Sequence, residues 1–140
     1  MGATIRAMTP GDLPAARELW SEAEGVDVAE GDSVAELTRY LERNPGLSTV
    51  AADENGRVIG AVLCGHDGRR GFVYHLAVAK VWRGRGVARA MMGRCREGLK
   101  QQGLVRALLL VAEDNVGGQH FWRREGWDEM PYARPMGLDL

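Results

Sequence analysis

Scarcity sets the first limits on this chain. Its 140 residues include only two cysteines, Cys64 and Cys95. A disulfide scaffold needs more, and neither cysteine stands at metal-ligand spacing. Both lie among apolar neighbours and read as small buried hydrophobes in a chain kept in the reducing cytoplasm. An excess of one charge is also missing. Eighteen Lys and Arg stand against nineteen Asp and Glu, a net of −1, so the chain as a whole has no pull towards nucleic acid or an acidic membrane. The longest apolar run, Ala107 to Ala112, falls far short of the ~20 residues of a membrane span. The opening MGATIRAMTP has no apolar signal core, and Arg6 stands where a myristoylation signal needs Ser or Thr. Repeats and low-complexity segments are absent. The length suits a single domain, residues 1–140, with one core.

What is present is an alternation of strand and helix signals. The alternation in TIRAM predicts a strand near residues 3 to 8, closed by Pro10 and Gly11. Asp12 reads as the N-cap of a helix over 13 to 24, with Leu13, Ala16, Leu19, Trp20 and Ala23 on one face. A second helix, capped by Asp32, turns Val34, Leu37 and Leu41 inward and stops at Asn44-Pro45-Gly46. LSTVAAD and VIGAVLCGH form a hairpin about Glu54-Asn55-Gly56-Arg57, since Asn-Gly supplies positive φ angles. HDGRRG is another turn. It leads to FVYHLAV, Phe72 to Val78, a run too continuous for a strand with one wet face. From Gly86 onward Ala88, Met91, Met92, Cys95 and Leu99 form the stripe of a helix lying on a sheet, with Gly103 as its C-cap. VRALLLVA is a further buried strand, which makes Phe72 to Val111 a parallel βαβ crossover. A last helix runs from Asn115 to Glu125 and stops at Gly126. The tail WDEMPYARPMGLDL is expected to give one or two edge strands. The fold class is α/β, or α+β: an antiparallel hairpin region joined to one parallel crossover.

The junction VWRGRGVARAMM sets Gly84 and Gly86 between Arg83 and Arg85. Each glycine would cost about 1 kcal/mol inside a helix, so the pair belongs to the loop before it. Bare amides at a helix N-terminus, flanked by arginines, suit a phosphorylated ligand, and a diphosphate in particular. The loop lacks the Lys-Ser/Thr ending of a triphosphate loop and the three-glycine dinucleotide fingerprint.

Arg83-Gly84-Arg85-Gly86-Val87-Ala88 matches Arg/Gln-x-x-Gly-x-Gly/Ala, and NVGGQHFWRREGW is similar to Asn-x-x-Ala-x-x-x-Tyr-x-x-x-Gly-Phe. With about 30 residues between the two segments, the chain resembles the GNAT superfamily of N-acetyltransferases, and small bacterial members of the YpeA-like type above all. That resemblance implies a mixed sheet of six to seven strands about a central parallel βαβ crossover, with about four helices. It also implies acetyl-CoA as cosubstrate, with no metal. The pantetheine arm would lie along Leu76, Ala77 and Val78, the diphosphate would sit on the amides from Arg85 to Ala88, and Asn115 and Trp122 would line the other side. Acetyl transfer to an amine needs a polarised carbonyl, for which the backbone N–H near Val78 is the candidate donor. It also needs a base, and Glu113 and His75 are the two candidates. Glu113 beside a turn and a lone strand histidine are more often a solvated and a packed side chain, respectively.

The pattern departs from the superfamily at two places. Trp122 stands where a Tyr general acid is frequent, and indole cannot give up a proton. Water, Tyr74 or Tyr132 would then serve the departing thiolate, which leaves tolerably well at a thiol pKa near ~8.5. Lys80 replaces a usual Pro, a change in loop stiffness. Glu22, Glu24, Asp27, Glu30 and Asp32 share a segment without a base. Similar loops in the superfamily line the acceptor side, so the expected acceptor is a cationic small molecule or peptide amine; an ordinary solvated loop is the plainer reading.

Two rivals differ in class. Lys80 to Arg106 carries eight basic residues against Glu97, a local net of +7. Such charge serves nucleic-acid binding, but no aromatic platform accompanies it and a wet helix face accounts for it, so no nucleic-acid partner is expected. The other rival, a non-catalytic acyl-CoA sensor, rests on Trp122. A homodimer fits the resemblance, although no interface is marked.

Overall fold

The computed structural model describes residues 2–140. Their packing divides the chain into two units, the first ending at Leu110 and the second running Val111–Leu140.

The first unit is a five-stranded sheet with helices on both faces. Its strands are β1 (Thr4–Ala7), β2 (Thr49–Ala52), β3 (Val58–His66), β4 (Gly71–Val78) and β5 (Ala107–Leu109), and they lie side by side in chain order. The first four are antiparallel, and β4 and β5 are parallel. That last pairing is the expected crossover, spanned by α3 (Val87–Gln101), but β5 is three half-buried residues and not a buried run, with Val105 and Leu110 exposed at its ends. Alternation along β3 shows why the sequence there is apolar at nearly every position. Ala61 and Leu63 join Leu13, Ala16 and Trp20 of α1 (Leu13–Glu22) and Leu37 and Leu41 of α2 (Val34–Arg43) in one core. Gly60 and Cys64 face α3 instead: a Cβ on Gly60 would come within 2.9 Å of Met91 Cε, and Cys64 neighbours Cys95 of that helix. Both thiols are buried. The neighbouring Cys95, and then burial, push the Cys64 thiol far above its ordinary range, so it stays protonated and inert.

Local signals explain the joints, and several differ from the sequence reading. Asp12 precedes α1, but its carboxylate does not cap that helix. It takes a two-pronged ion pair from Arg6, at 2.7 and 2.8 Å, and the N–H of Thr9 at 2.8 Å. Helix α2 is capped by Ser33, whose hydroxyl accepts from Glu36 N–H at 3.1 Å while the Glu36 carboxylate accepts from Ser33 N–H. Ser33-Val34-Ala35-Glu36 is a readable capping box, and it releases Asp32 for another role. Val34 is exposed, whereas Leu37 and Leu41 are buried. At the hairpin only Gly56 has positive φ, +81°. Asp53 closes the loop through the N–H groups of Asn55 and Arg57, both at 2.9 Å, a five-residue turn where the dipeptide suggested a tighter one. Helix α3 buries Val87 along with Met91, Met92, Cys95 and Leu99, while Ala88 stays half exposed. Gly103, at φ +84°, ends the helix as expected, with Leu104 N–H reaching Leu99 O at 3.1 Å.

The second unit is α4 (Val116–Arg124) and its flanks. Gly126, at φ +94°, stops the chain after it. Residues 127–140 form no strand, so the described residues hold five strands and not the expected six to seven. Pro131 and Pro135 deny that tail two backbone donors, and Tyr132, Met136 and Leu138 are exposed, leaving no buried row to hold a strand in register. The four helices match the expectation. No helix is long and apolar enough to cross a membrane among the described residues.

The Arg6–Asp12 pair makes stability depend on acid. Hydrogen bonds from Arg6, then from Thr9, hold the Asp12 carboxyl below its ordinary range. A depressed carboxylate stabilises the fold above its unfolded pKa, ~3.9, and the contribution fades as pH falls through the lower folded value. Melting temperatures of the wild type and Asp12→Asn should therefore differ by a constant amount above about pH 5 and converge below about pH 4. An unchanging difference down to acid unfolding would contradict this.

Candidate active site

The site grows from an irregularity in β4. Opposite β3, Ala61 pairs with Ala77 and Leu63 with Tyr74, so the single residue Val62 faces two, His75 and Leu76. This is a β-bulge, and His75 carries the strain of it: its φ of +58° is the one positive value outside glycine among the described residues. The bulge swings the imidazole onto α1, where it lies 5.3 Å from the Trp20 ring at a tilt of 56°. There its Nε2 is 2.8 Å from Asp32 Oδ2. Both side chains are mostly buried, at 18% and 11% exposure. Asp32 Oδ2 also accepts Ala29 N–H at 3.1 Å, and the Asp32 carbonyl accepts Arg17 Nε at 2.8 Å. Ala29 thus holds the carboxylate and Arg17 of α1 holds the backbone of the same residue.

Already before the bulge β4 loses its parallel partner. The ladder with β5 covers only Gly71, Phe72 and Val73, so FVYHLAV is not a uniformly buried strand: Tyr74 is exposed, while His75, Leu76 and Val78 are half-buried. Ala79 N–H reaches Ile59 O at 2.8 Å. Alternation then points the N–H and C=O of Val78 away from β3, to the side where β5 has ended. Arg83 Nε donates to the Val78 carbonyl at 3.1 Å. Tyr74 stacks on Phe72, with ring centroids 5.8 Å apart. Partial burial of the ring raises its hydroxyl pKa, so it remains a proton donor at neutral pH.

The chain leaves β4 through the short 3-10 turn Lys80–Trp82 into the glycine loop. Gly84 and Gly86 take φ +77° and +82°, and Gly86 is the N-cap of α3. A glycine cap brings no side-chain acceptor, and the first turn of α3 holds no acid. Its leading amides, at Val87 and Ala88, therefore have no carboxylate or hydroxyl cap. Arg83 and Arg85 crowd this positive end, against the dipole; the Arg85 guanidinium lies 4.9 Å over the Trp82 ring. An unpaired positive terminus with two arginines beside it is matched by an anion.

A cleft of about 500 Å³ opens between α1, the hairpin turn and the end of β4. Glu18, Glu22, Glu24 and Asp53 give it carboxylates, and Arg57, Lys80 and Arg83 oppose them. Of the five expected acids, Glu22 and Glu24 line this cleft, Asp27 and Glu30 are exposed elsewhere, and Asp32 turns inward. The cleft is of mixed charge, not uniformly acidic.

In the second unit Asn115 Oδ1 accepts Gly118 N–H at 3.0 Å and caps α4. Gln119 Nε2 donates to the carbonyls of Ala112 and Glu113, at 3.0 and 2.8 Å. The Glu113 residue is exposed. Trp122 packs edge-on against Phe121 at 5.0 Å and Trp127 at 5.4 Å, as an apolar brace. Among the described residues no group of His, Cys, Asp and Glu is arranged to hold a metal ion.

The pairing of His75 with Asp32 was beyond sequence reasoning, since 43 residues separate them. The available signal was the Ser33 capping box, which leaves Asp32 without a helix to cap.

Residues 13–127 match the family model described as the acetyltransferase (GNAT) family. An acetyltransferase of Pectobacterium atrosepticum is 36% identical over 113 residues, covering 79% of this chain and 77% of that protein. Among solved structures, Ard1 of Thermoplasma volcanium has a TM-score of 0.79 at 20% identity, over 90% of this chain and 82% of that one. The NatC complex bound to Gag peptide and CoA includes a chain with a TM-score of 0.77 at 19% identity, over 93% and 87%.

Proposed function

The chain belongs to the GNAT acetyltransferase family, and from that premise we propose that it moves an acetyl group from acetyl-CoA to a primary amine by direct attack in a ternary complex. The observation that carries the reading is continuous. The β4 edge that β5 leaves open runs directly into the glycine loop and the uncapped start of α3. An extended pantetheine arm suits such an edge, along Leu76, Ala77 and Val78, and a diphosphate suits the amides from Arg85 to Ala88 between Arg83, Gly84 and Gly86. The match of residues 13–127 includes sequence from both units, which supports one functional domain over 1–140. A cytoplasmic location fits the two free thiols.

The chemistry divides among few groups. Val78 N–H polarises the thioester carbonyl, a donor worth about 3 kcal/mol in the transition state. His75 removes the amine proton, and its bulge position favours it over the exposed Glu113. Tyr74 or water protonates the thiolate in place of the missing tyrosine at Trp122. The acceptor is a small-molecule or peptide amine, and a cationic group on it would meet Glu18, Glu22 and Glu24.

Calorimetric titration with CoA and acetyl-CoA, followed by thiol release across a panel of amines and peptides, tests this. Binding with amine-dependent release is expected. Absence of heat in well-folded protein overturns the reading, and binding without release above the blank replaces the enzyme by a sensor.

A further inference from the structure

We infer that Asp32 is the positioning residue of a carboxylate–imidazole pair that leaves His75 Nδ1 as the proton-accepting atom; this rests on the acetyl-transfer reading.

Three observations converge on it. Nε2 of His75 lies 2.8 Å from Asp32 Oδ2, and a carboxylate only accepts, so the Nε2 position holds the proton. The neutral ring then has its lone pair on Nδ1, which has no hydrogen-bond partner among the described residues. The ring cannot rotate away, because Trp20 is fully buried beneath it and Asp32 is anchored by Ala29 N–H and Arg17. Finally, the backbone takes a positive φ at this residue alone among the described non-glycine positions. Strain at a polar residue on the strand that leads to the open edge places that side chain where a regular strand would not.

A structural pin between loop and strand would need the hydrogen bond but not the strained backbone that carries the ring. Asp32 does more in the transfer. The amine nitrogen forms a bond to the thioester carbon, the C–S bond breaks, and one amine proton passes to Nδ1 while the thiolate takes a proton from Tyr74 or water. The imidazolium that forms has the Asp32 carboxylate against its other nitrogen.

Nitrogen-15 spectra of histidine-labelled protein, with the His75 signals assigned by loss in His75→Gln, read the tautomer directly. A protonated Nε2 and bare Nδ1 are expected in the wild type, and a proton on Nδ1 overturns the inference. In Asp32→Ala, kcat should fall about 100-fold while the Kd for CoA and KM for acetyl-CoA stay within about twofold. An unchanged kcat in a variant that binds CoA overturns the positioning role alone, whereas a wild type that binds no CoA overturns the acetyl-transfer reading. If Asp32→Ala fails to fold, the wild-type spectrum decides by itself.

Discussion

Exchanging Gly86 for Glu and Arg83 for Ala in one chain is expected to abolish CoA binding in calorimetry while leaving the circular dichroism and melting temperature nearly unchanged. The fold tolerates the glutamate for two reasons. A Cβ at Gly86 would meet nothing within 4 Å, so there is no steric conflict. Its φ of +82° strains an L-residue by roughly 1–2 kcal/mol. A carboxylate at a helix N-terminus returns about 0.3–1 kcal/mol of this through the dipole. That same carboxylate is the rival of the ligand. It satisfies the amides of Val87 and Ala88 from within the chain and repels a diphosphate approaching the loop. Arg83→Ala removes the neighbouring guanidinium, whose Nε–H holds the Val78 carbonyl at 3.1 Å. Charge-assisted hydrogen bonds contribute about 1.5–3 kcal/mol each, so losing two weakens CoA by roughly 10²- to 10⁴-fold. An unaltered Kd in the double variant would mean that the diphosphate rests elsewhere. Gly86→Ala separates the effects, since it adds the strain without the charge and should retain most of the affinity.

The glycine loop was legible because its physics is local. Gly84 and Gly86 need positive φ, and a sequence shows that need wherever two glycines interrupt a helical stripe. The parallel crossover was legible for a related reason, as two continuous apolar runs on either side of an amphipathic helix leave few alternatives. The strand count was not. Tail strands depend on pairing and burial that WDEMPYARPMGLDL does not encode by pattern, and its prolines and exposed Tyr132 and Met136 leave it without ladder or core. The site was half visible. His75 could be nominated as a strand histidine, but the bulge that aims it arises from the register between β3 and β4, which no short window contains. Asp32 reads as a helix cap in the sequence because acids cap helices so commonly. The adjacent Ser33, with Glu36 three residues on, fits the cap better and frees the carboxylate.

The same core that shapes the fold supports the proposed base, and Trp20 is where the two can be separated. Trp20 has no exposed surface, and it packs among Leu13, Ala16, Leu37 and Leu63 beneath the His75 ring. Truncating so large a buried side chain costs about 3–5 kcal/mol, which for a chain of this length lowers the melting temperature by roughly 10 °C or more. Trp20→Ala should show that loss by calorimetry together with a fall in kcat, because the imidazole loses its floor. Trp20→Phe behaves differently. The indole Nε1–H is buried without a hydrogen-bond partner among the described residues, a standing cost of about 1–3 kcal/mol that phenylalanine removes. The smaller ring leaves some void, so the two effects oppose each other, and the phenylalanine variant should melt within a few degrees of the wild type, by the scale of roughly 2–4 °C per kcal/mol. It should also retain most of kcat, since an aromatic face still lies under His75. If Trp20→Phe kept the melting temperature but lost turnover as completely as Trp20→Ala, the indole itself, and not a flat apolar support, would be what the imidazole requires.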